Sequence, residues 1–398
     1  MAGLRNWTHI ALIGALSLTS VGLAGGCVEG GATDSPGPRI GHPDGGSGGG
    51  GGVDGCTGDD CQNVPSPSRI SFDLKEGTAT AGNDVTCADR FRELESLAEV
   101  TTKWQKIYVD RQAESNEGGS RENPVRNLEA AAAQIEGRPT VLMLAGGEYT
   151  WPAEVETPEH LAIIGQCARQ TVIVPASSEG PLIGLKGGER LFLSDVRLHS
   201  GQQNLRVEDF QRLLLRRVRL TGATEVGLRL KSVKEAIVSR SHLREAKGHQ
   251  IHASDSLVTV DRSIVGPADG SGIRVETERD LTDCPAEPES PARGEIPCAY
   301  SGHLLVHSTL LRDLGGRGIE TKHATFRVKR SRIEGITAGQ SGEMAAGIDA
   351  FQSYALVTGQ SVVADSDGVG LLLQSSRGGI RDVEVEGAQK GGLWSRRV

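Results

Sequence analysis

LFLSDVRL, residues Leu191 to Leu198, is the first clear copy of a phrase that the chain repeats as far as Val385. The pattern is apolar, any, apolar, any, any, then Ser, Thr or Val, any, apolar. It returns as Leu213/Leu215/Val218/Leu220, Ala236/Val238/Ser241/Leu243 and Val258/Val260/Ser263/Val265. Further copies are Leu304/Val306/Thr309/Leu311, Phe326/Val328/Ser331/Ile333, Leu356/Thr358/Ser361/Val363 and Gly378/Ile380/Val383/Val385. Successive starts lie 22, 23, 22, 46, 22, 30 and 22 residues apart. A fixed period of this size is the mark of a solenoid, in which each repeat buries its apolar face against its neighbours.

Apolar residues at i and i+2 give a strand with one face buried. The two-residue gap breaks that alternation, so the chain bends there and a second short strand follows. A third strand opens on glycine and an aliphatic residue, at Gly227-Leu228, Gly248 to Ile251, Gly272-Ile273, Gly318-Ile319, Gly347-Ile348, Gly370-Leu371 and Gly392-Leu393. Glycine there suits a turn with unusual φ. Three short strands per turn around a narrow apolar core predict an all-β parallel β-helix of about ten coils, with neighbouring coils roughly 4.8 Å apart. Ser241, Ser263, Thr309, Ser331 and Ser361 share one register. Since no base recurs beside them, they read as a structural hydroxyl ladder and not as nucleophiles.

This coil pattern resembles the pectin-lyase-like superfamily of right-handed parallel β-helices. The segment from Ile107 to Trp151 is similar to the capping start of bacterial β-helix repeat proteins, with a Gly119-Ser120 turn, a Pro-started helix from Pro124 to Ile135 capped by Asn123, and a strand from Val141 to Tyr149. The resemblance runs from about Ile107 to the C-terminus. It implies the fold and leaves activity open, because this architecture hosts lyases, hydrolases, adhesins and inert proteins.

Residues 1–27 read as an export signal: Arg5 supplies the positive start and Ile10 to Leu23 the apolar stretch. Its end, LAGGC, resembles a bacterial lipoprotein signal with Cys27 as the lipidated residue, although Ala24 stands where a larger aliphatic is usual. Ordinary secretion with cleavage at the small residues is the alternative. Residues 28–68 are Gly-rich and low in complexity, as a flexible tether is. Residues 69–140 form the capping region with its helix, and 141–398 the β-helix. The chain has seven cysteines. Setting Cys27 aside leaves six that can pair in an oxidising compartment. Cys56 and Cys61 bracket a short turn, Cys284 and Cys298 bracket an insertion, and a Cys87–Cys167 bridge would staple the cap to the first coils. No C-x-x-C spacing or histidine cluster supports a metal site, and no cofactor is expected. The expected location is the outer membrane, through a lipid anchor, with a secreted or periplasmic protein as the alternative.

The net charge of −8 and the spread of Lys and Arg through the coils argue against a nucleic-acid partner. The outward residue after each inward aliphatic of the third strand gives a row: Arg229, His252, Arg274, Glu320, Asp349, Leu372, Trp394. In pectin-lyase-like enzymes this strand belongs to the sheet carrying the active site. The two irregular spacings fall beside the row, one holding about 24 extra residues from Glu276 to Ser301 and one about 8 around Gly335 to Met344. Arg274, Glu320, Asp349 and His252 are therefore the candidate catalytic residues, the carboxylates as an acid/base pair and the cations facing a substrate carboxylate. A surface salt-bridge row is the competing reading.

Several motifs count against an enzyme. KGHQIHAS, Lys247 to Ser254, resembles the Gly-His-Gly strand of polygalacturonases, but Gln250 replaces the second glycine. The aspartates that family places before the Gly-aliphatic pair are here Val226, Lys247, Ser271, Arg317 and Ala346. No acidic cluster has calcium-ligand spacing. Aromatics make up 4% of the chain, few for a sugar-stacking cleft. The expected function is a non-catalytic cell-envelope scaffold that binds a polysaccharide or an envelope protein. The alternative is a polysaccharide lyase or glycoside hydrolase acting on an acidic polysaccharide.

Overall fold

A computed structural model of the chain describes residues 104–153, 155, 157–278, 302–339 and 344–396. The expected signal, the tether, residues 69–103 of the cap, and Cys27, Cys56, Cys61, Cys87, Cys284 and Cys298 lie outside these described residues.

The described residues form an all-β parallel solenoid with three strands per full coil. The first strand of a coil carries the repeated phrase, as in Glu235–Ser239, Leu257–Asp261, Gly302–His307 and Ala324–Lys329. The second strand, as in Leu310–Gly315 and Arg332–Thr337, stacks with its equivalents into a sheet of ten strands. The third strand, as in Val226–Lys231, Ile251–Ser254, Ile273–Glu276, Arg317–Lys322, Ala346–Phe351 and Val369–Gln374, stacks into the larger sheet together with the first strands. Strands pair in parallel from each coil to the next. This is about ten turns, the architecture that the repeat predicts and consistent with a right-handed β-helix.

The core is the inward half of every strand. Val238, Val260, Val306 and Val328 stack in register, as do Leu228, Ile251, Ile273, Ile319, Ile348 and Leu371, and all are fully buried. One copy of the phrase is displaced by a residue. Phe326 pairs with Ala355 and Val328 with Val357, so Ala355 and Val357 face inward while Leu356 and Thr358 face out. An extra residue in the following turn, where Gly359 and Gln360 both have positive φ, restores the register at Ser361.

The bend after the first strand has one conformation throughout. Asp195, Arg217, Arg240, Arg262, Ser308, Arg330, Gln360 and Asp382 occupy equivalent positions with φ between 46 and 62°. Left-handed geometry turns the chain in a single residue, and the amide exposed by the turn is satisfied by the next coil, as where Arg217 donates to the Ser239 carbonyl and Arg240 to that of Asp261. The hydroxyl ladder follows directly. Ser241 Oγ accepts from Val218 N, Ser263 Oγ from Ser241 N, Thr309 Oγ1 from Ser263 N, Ser331 Oγ from Thr309 N and Ser361 Oγ from Ser331 N. Ser241, Ser263, Thr309 and Ser331 also donate to the carbonyl two residues back in their own coil. The hydroxyls therefore link coil to coil through backbone amides, not through one another. Ser256, Ser353 and Ser376 do the same where the third strand meets the next first strand.

The glycines that open the third strand serve a different purpose from the one expected. Gly272, Gly318, Gly347 and Gly370 are not among the positive-φ residues. A Cβ at Gly318 would fall within 3.0 Å of Ile333 Cγ2, and one at Gly347 would overlap Val363 Cγ1. The absence of a side chain makes room for the inward residue of the second strand, so space is the constraint, not backbone freedom. Gly248 does not belong to this column, because Leu228 pairs with Ile251 and so Gln250 takes the equivalent place.

The cap helix is also shorter than expected. It spans Leu128–Ala132, and Asn127 caps it by accepting from Ala130 N at 2.8 Å. Residues 124 and 125 stay extended instead, because Val125 forms a parallel bridge with Val109 and exchanges hydrogen bonds with Tyr108 and Asp110.

Candidate functional site

Third strands present alternate residues outward, and the pairing register puts the expected row in place. Arg206, Arg229, His252, Arg274, Glu320, Asp349, Leu372 and Trp394 are successive partners across the coils. Arg274, Glu320, Asp349 and His252 are thus brought together on one face, one coil apart.

Their interactions differ from the expected ones. His252 Nε2 lies 2.7 Å from Glu276 Oε1, and Arg274 Nη2 donates to Glu276 Oε2 at 2.9 Å. Glu276 is on the same strand as Arg274, two residues further on, so it too points outward. The hydrogen bond from His252, reinforced by Arg274, holds the Glu276 carboxyl down at about 2. Glu320 is shared: Ser271 Oγ donates to Oε2 at 3.1 Å, Arg274 stands 3.8 Å from Oε1 and Arg317 3.9 Å from Oε2. Asp349 is buried. It accepts from Arg317 Nε at 2.6 Å and from Gln374 Nε2 at 3.1 Å. Arg317 therefore stands between the two carboxylates that the sequence reading paired as acid and base.

His249 completes the cluster. Its ring meets that of His252 edge-on at 5.6 Å, and its Nδ1 accepts the Ser271 amide at 3.3 Å. That contact leaves the ring proton on Nε2. Burial, then the charges of His252 and Arg274, lower its pKa to about 4, so the imidazole is neutral at ordinary pH. Counting back from the Ile251–Ile273–Ile319 column, His249, Ser271 and Arg317 share one register. This is the column that holds aspartates in polygalacturonases, and the sequence pattern alone puts Lys247 in the place that His249 holds. Period-two alternation alone points to Glu276. Arg317 already stands in that column by sequence, whereas His249 needed the true register of the Ile251 coil.

The longer insertion leaves the solenoid beside this cluster. Thr277 Oγ1 accepts from Gly302 N at 3.1 Å and donates to the His323 carbonyl, so one hydroxyl holds both stems together. Glu278, the last described residue before the insertion, accepts from Ser254 at 2.8 Å and lies 3.2 Å from Lys231 Nζ. The stem therefore leans toward the preceding coils. Cys167 follows the first strand His160–Gly165 and is not a free thiol. A separate groove of about 710 Å³, lined by Glu245, Asp269 and Asp313 among others, sits at the turns between second and third strands and contains none of the row. Among the described residues no group of three or more His, Cys, Asp or Glu could hold a metal ion, and no helix is long and apolar enough to cross a membrane.

No protein-family model matches the chain, and no curated protein matches it in sequence. Solved structures do match. The mannuronan C-5 epimerase AlgE4 A-module of Azotobacter vinelandii is 12% identical over 67% of this chain and 92% of its own, with a TM-score of 0.39. Pectate lyase Pel9A is 12% identical over 72% and 70%, with a TM-score of 0.42. A rhamnogalacturonan lyase is 9% identical over 71% and 73%, with a TM-score of 0.30. These values assign no residue and no reaction to this chain. By its own strand pairing, the chain is a parallel β-solenoid of the kind the pectin-lyase-like resemblance implied.

Proposed function

We propose that this chain is an exported, envelope-tethered solenoid that binds an extended polysaccharide along its third-strand face without turning it over. One observation carries the reading: each carboxylate in the cluster is paired with a guanidinium. Glu276 has Arg274, with His252 as a further hydrogen-bond partner, Glu320 has Arg274 and Arg317, and Asp349 has Arg317, with the Gln374 amide as a second donor. A general acid needs a carboxyl that keeps its proton near working pH, and the His252 hydrogen bond together with Arg274 holds Glu276 ionised instead. A row of polar groups renewed at every coil suits a ligand rich in hydroxyls, met at several points along its length.

One observation favours a catalytic reading. The neutral imidazole of His249, its Nδ1 taken by the Ser271 amide, keeps an Nε2–H donor beside the His252–Glu276 pair, a group suited to stabilising a developing oxyanion. On that reading the chain is a lyase or hydrolase of an acidic polysaccharide, with His252, Arg274, Glu320 and Asp349 in the site. The deciding experiment incubates the full-length chain with acidic and neutral polysaccharides, following new reducing ends, absorbance of unsaturated sugars and retention together. Retention without product, unchanged in Glu320→Gln and Asp349→Asn, supports the scaffold. Product that disappears in those variants overturns it.

The anchoring belongs to the same proposal. Cys27 carries lipid, residues 28–68 hold the solenoid off the outer membrane, and Cys56–Cys61, Cys87–Cys167 and Cys284–Cys298 are disulfides of an oxidising compartment. Intact-mass analysis of the membrane fraction checks this, and an unmodified Cys27 in a soluble fraction would refute it.

A further inference from the structure

The first strands carry an outward row of their own, on a side of the coil that the polar cluster does not use. Pairing sets Leu257 beside His303, Leu305 beside Arg327 and Arg327 beside Leu356, while Tyr354 pairs with Arg377. Leu257 is 39%, Leu305 38% and Tyr354 49% exposed. Among the described residues, these are the only exposed large apolar side chains outside the last coil. Neighbouring coils lie roughly 4.8 Å apart, so the Leu305–Arg327–Leu356 column sets a guanidinium between two aliphatic side chains within about 10 Å.

The charge of this face runs against that of the chain. From Glu235 to Asp382, the first strands and the bends after them hold seven Arg or Lys against three Asp or Glu, in a chain of net charge −8. The three acids are already taken: Glu235 by Arg212 at 2.9 Å, Asp261 by Arg262 at 2.7 Å and Asp382 by Arg381 at 3.7 Å. Arg327, Lys329, Arg330 and Arg377 have no carboxylate partner among the described residues. Like charges gathered on adjacent coils repel one another, and a negative surface laid against them relieves that repulsion. A soluble polyanion would answer the cations and leave the leucines in water. A second copy of the chain would set cation against cation. An anionic bilayer answers both, since its phosphates take Arg and Lys while Leu and Tyr enter the head-group layer, where tyrosine is favoured.

We propose that the first-strand face from Leu257 to Arg377 rests on an anionic phospholipid bilayer, with Arg327, Lys329, Arg330 and Arg377 on the phosphates and Leu305, Tyr354 and Leu356 in the head-group layer. The contact does not depend on acylation of Cys27. It fixes which side of the solenoid meets the membrane and leaves the third-strand row open to its ligand.

The test is a chemical footprint on the full-length chain mixed with vesicles of phosphatidylglycerol and phosphatidylcholine. With lipid well above half-saturation, nitration of Tyr354 and acetylation of Lys329 should each slow at least about five-fold. Acetylation of Lys247 and Lys390, exposed at the corner between second and third strands, should not change. In Arg327→Gln/Arg330→Gln, half-protection of Tyr354 should need at least about ten-fold more anionic lipid. The footprint of the parent protein decides the matter if that variant does not fold. Equal protection by phosphatidylcholine alone, equal protection by soluble polyphosphate without vesicles, protection at Lys247 or Lys390 instead, no protection at all, or an unchanged half-protection point in the folded variant would overturn the proposal.

Discussion

Replacing Glu276 by Gln removes the charge on which His252 and Arg274 converge, and its effect depends on pH in a defined way. The carboxyl is lowered from 4.5 to about 2, first by the His252 hydrogen bond and then by Arg274. Its side chain is 14% exposed. A shift of that size corresponds to at most about 3 kcal/mol of folding free energy. Because the folded pKa is the lower one, this stabilisation is complete above pH 4.5 and is lost as pH falls toward 2. His249 acts in a higher window. Its pKa is lowered from 6.5 to about 4, so the unfolded chain takes up the proton first and stability falls between pH 6.5 and 4. Urea unfolding followed by far-ultraviolet circular dichroism at unit steps from pH 7 to pH 2 separates the two. Glu276→Gln should be about 2–3 kcal/mol less stable at pH 7 and should converge on the parent protein by about pH 2. His249→Asn should flatten the curve between pH 6.5 and 4 only. A deficit in Glu276→Gln that stays constant with pH, or an unchanged slope in His249→Asn, would refute the electrostatic account.

Other expectations follow from the packing. Gly347→Ala forces a methyl onto Val363 and should cost about 1–3 kcal/mol by overpacking, whereas Gly379→Ala, whose nearest neighbour would be Leu356 Cδ1 at 3.6 Å, should be nearly neutral in the same urea assay. Ser331→Ala leaves the buried Thr309 amide without its acceptor and should cost about 1–3 kcal/mol, detectable as a lower thermal midpoint. Thr277→Val should raise hydrogen exchange at the Gly302 amide roughly ten-fold by removing its acceptor, and unchanged exchange would show that the stem does not depend on that hydroxyl.

The fold was legible because a solenoid states its core once per coil, and eight statements of one pattern average out local ambiguity. The outward row was legible for the same reason: alternation fixes which side each residue takes. Register failed where one coil has an extra turn residue. Leu356 and Val357 are both apolar, so the letters at Leu356/Thr358 fit the phrase as well as Ala355/Val357 do, and only pairing with Phe326 and Val328 decides. The ion pairs were less legible. Alternation sets Arg274 beside Glu320 one coil away, but its own strand offers Glu276 two residues on, and the guanidinium makes its shorter contact there. The third-strand glycines were read as backbone devices because sequence shows a missing side chain without showing what fills its place.

The left-handed column at the first bend also bears on how much change the chain can absorb. Asp195, Arg217, Arg240, Arg262, Ser308, Arg330, Gln360 and Asp382 hold a conformation in which most L-residues are strained, each by about 1 kcal/mol. Asn tolerates that geometry better than Arg does, so exposed members of the column such as Arg262 and Arg330 are sites where a single surface substitution can add stability, whereas Asp195 and Arg217 are held to each other by a largely buried ion pair. The molecule thus keeps an undrawn reserve spread evenly along its length. A lineage extending the insertion after Glu278, or repopulating the outward row with new chemistry, could offset the damage coil by coil without touching the core.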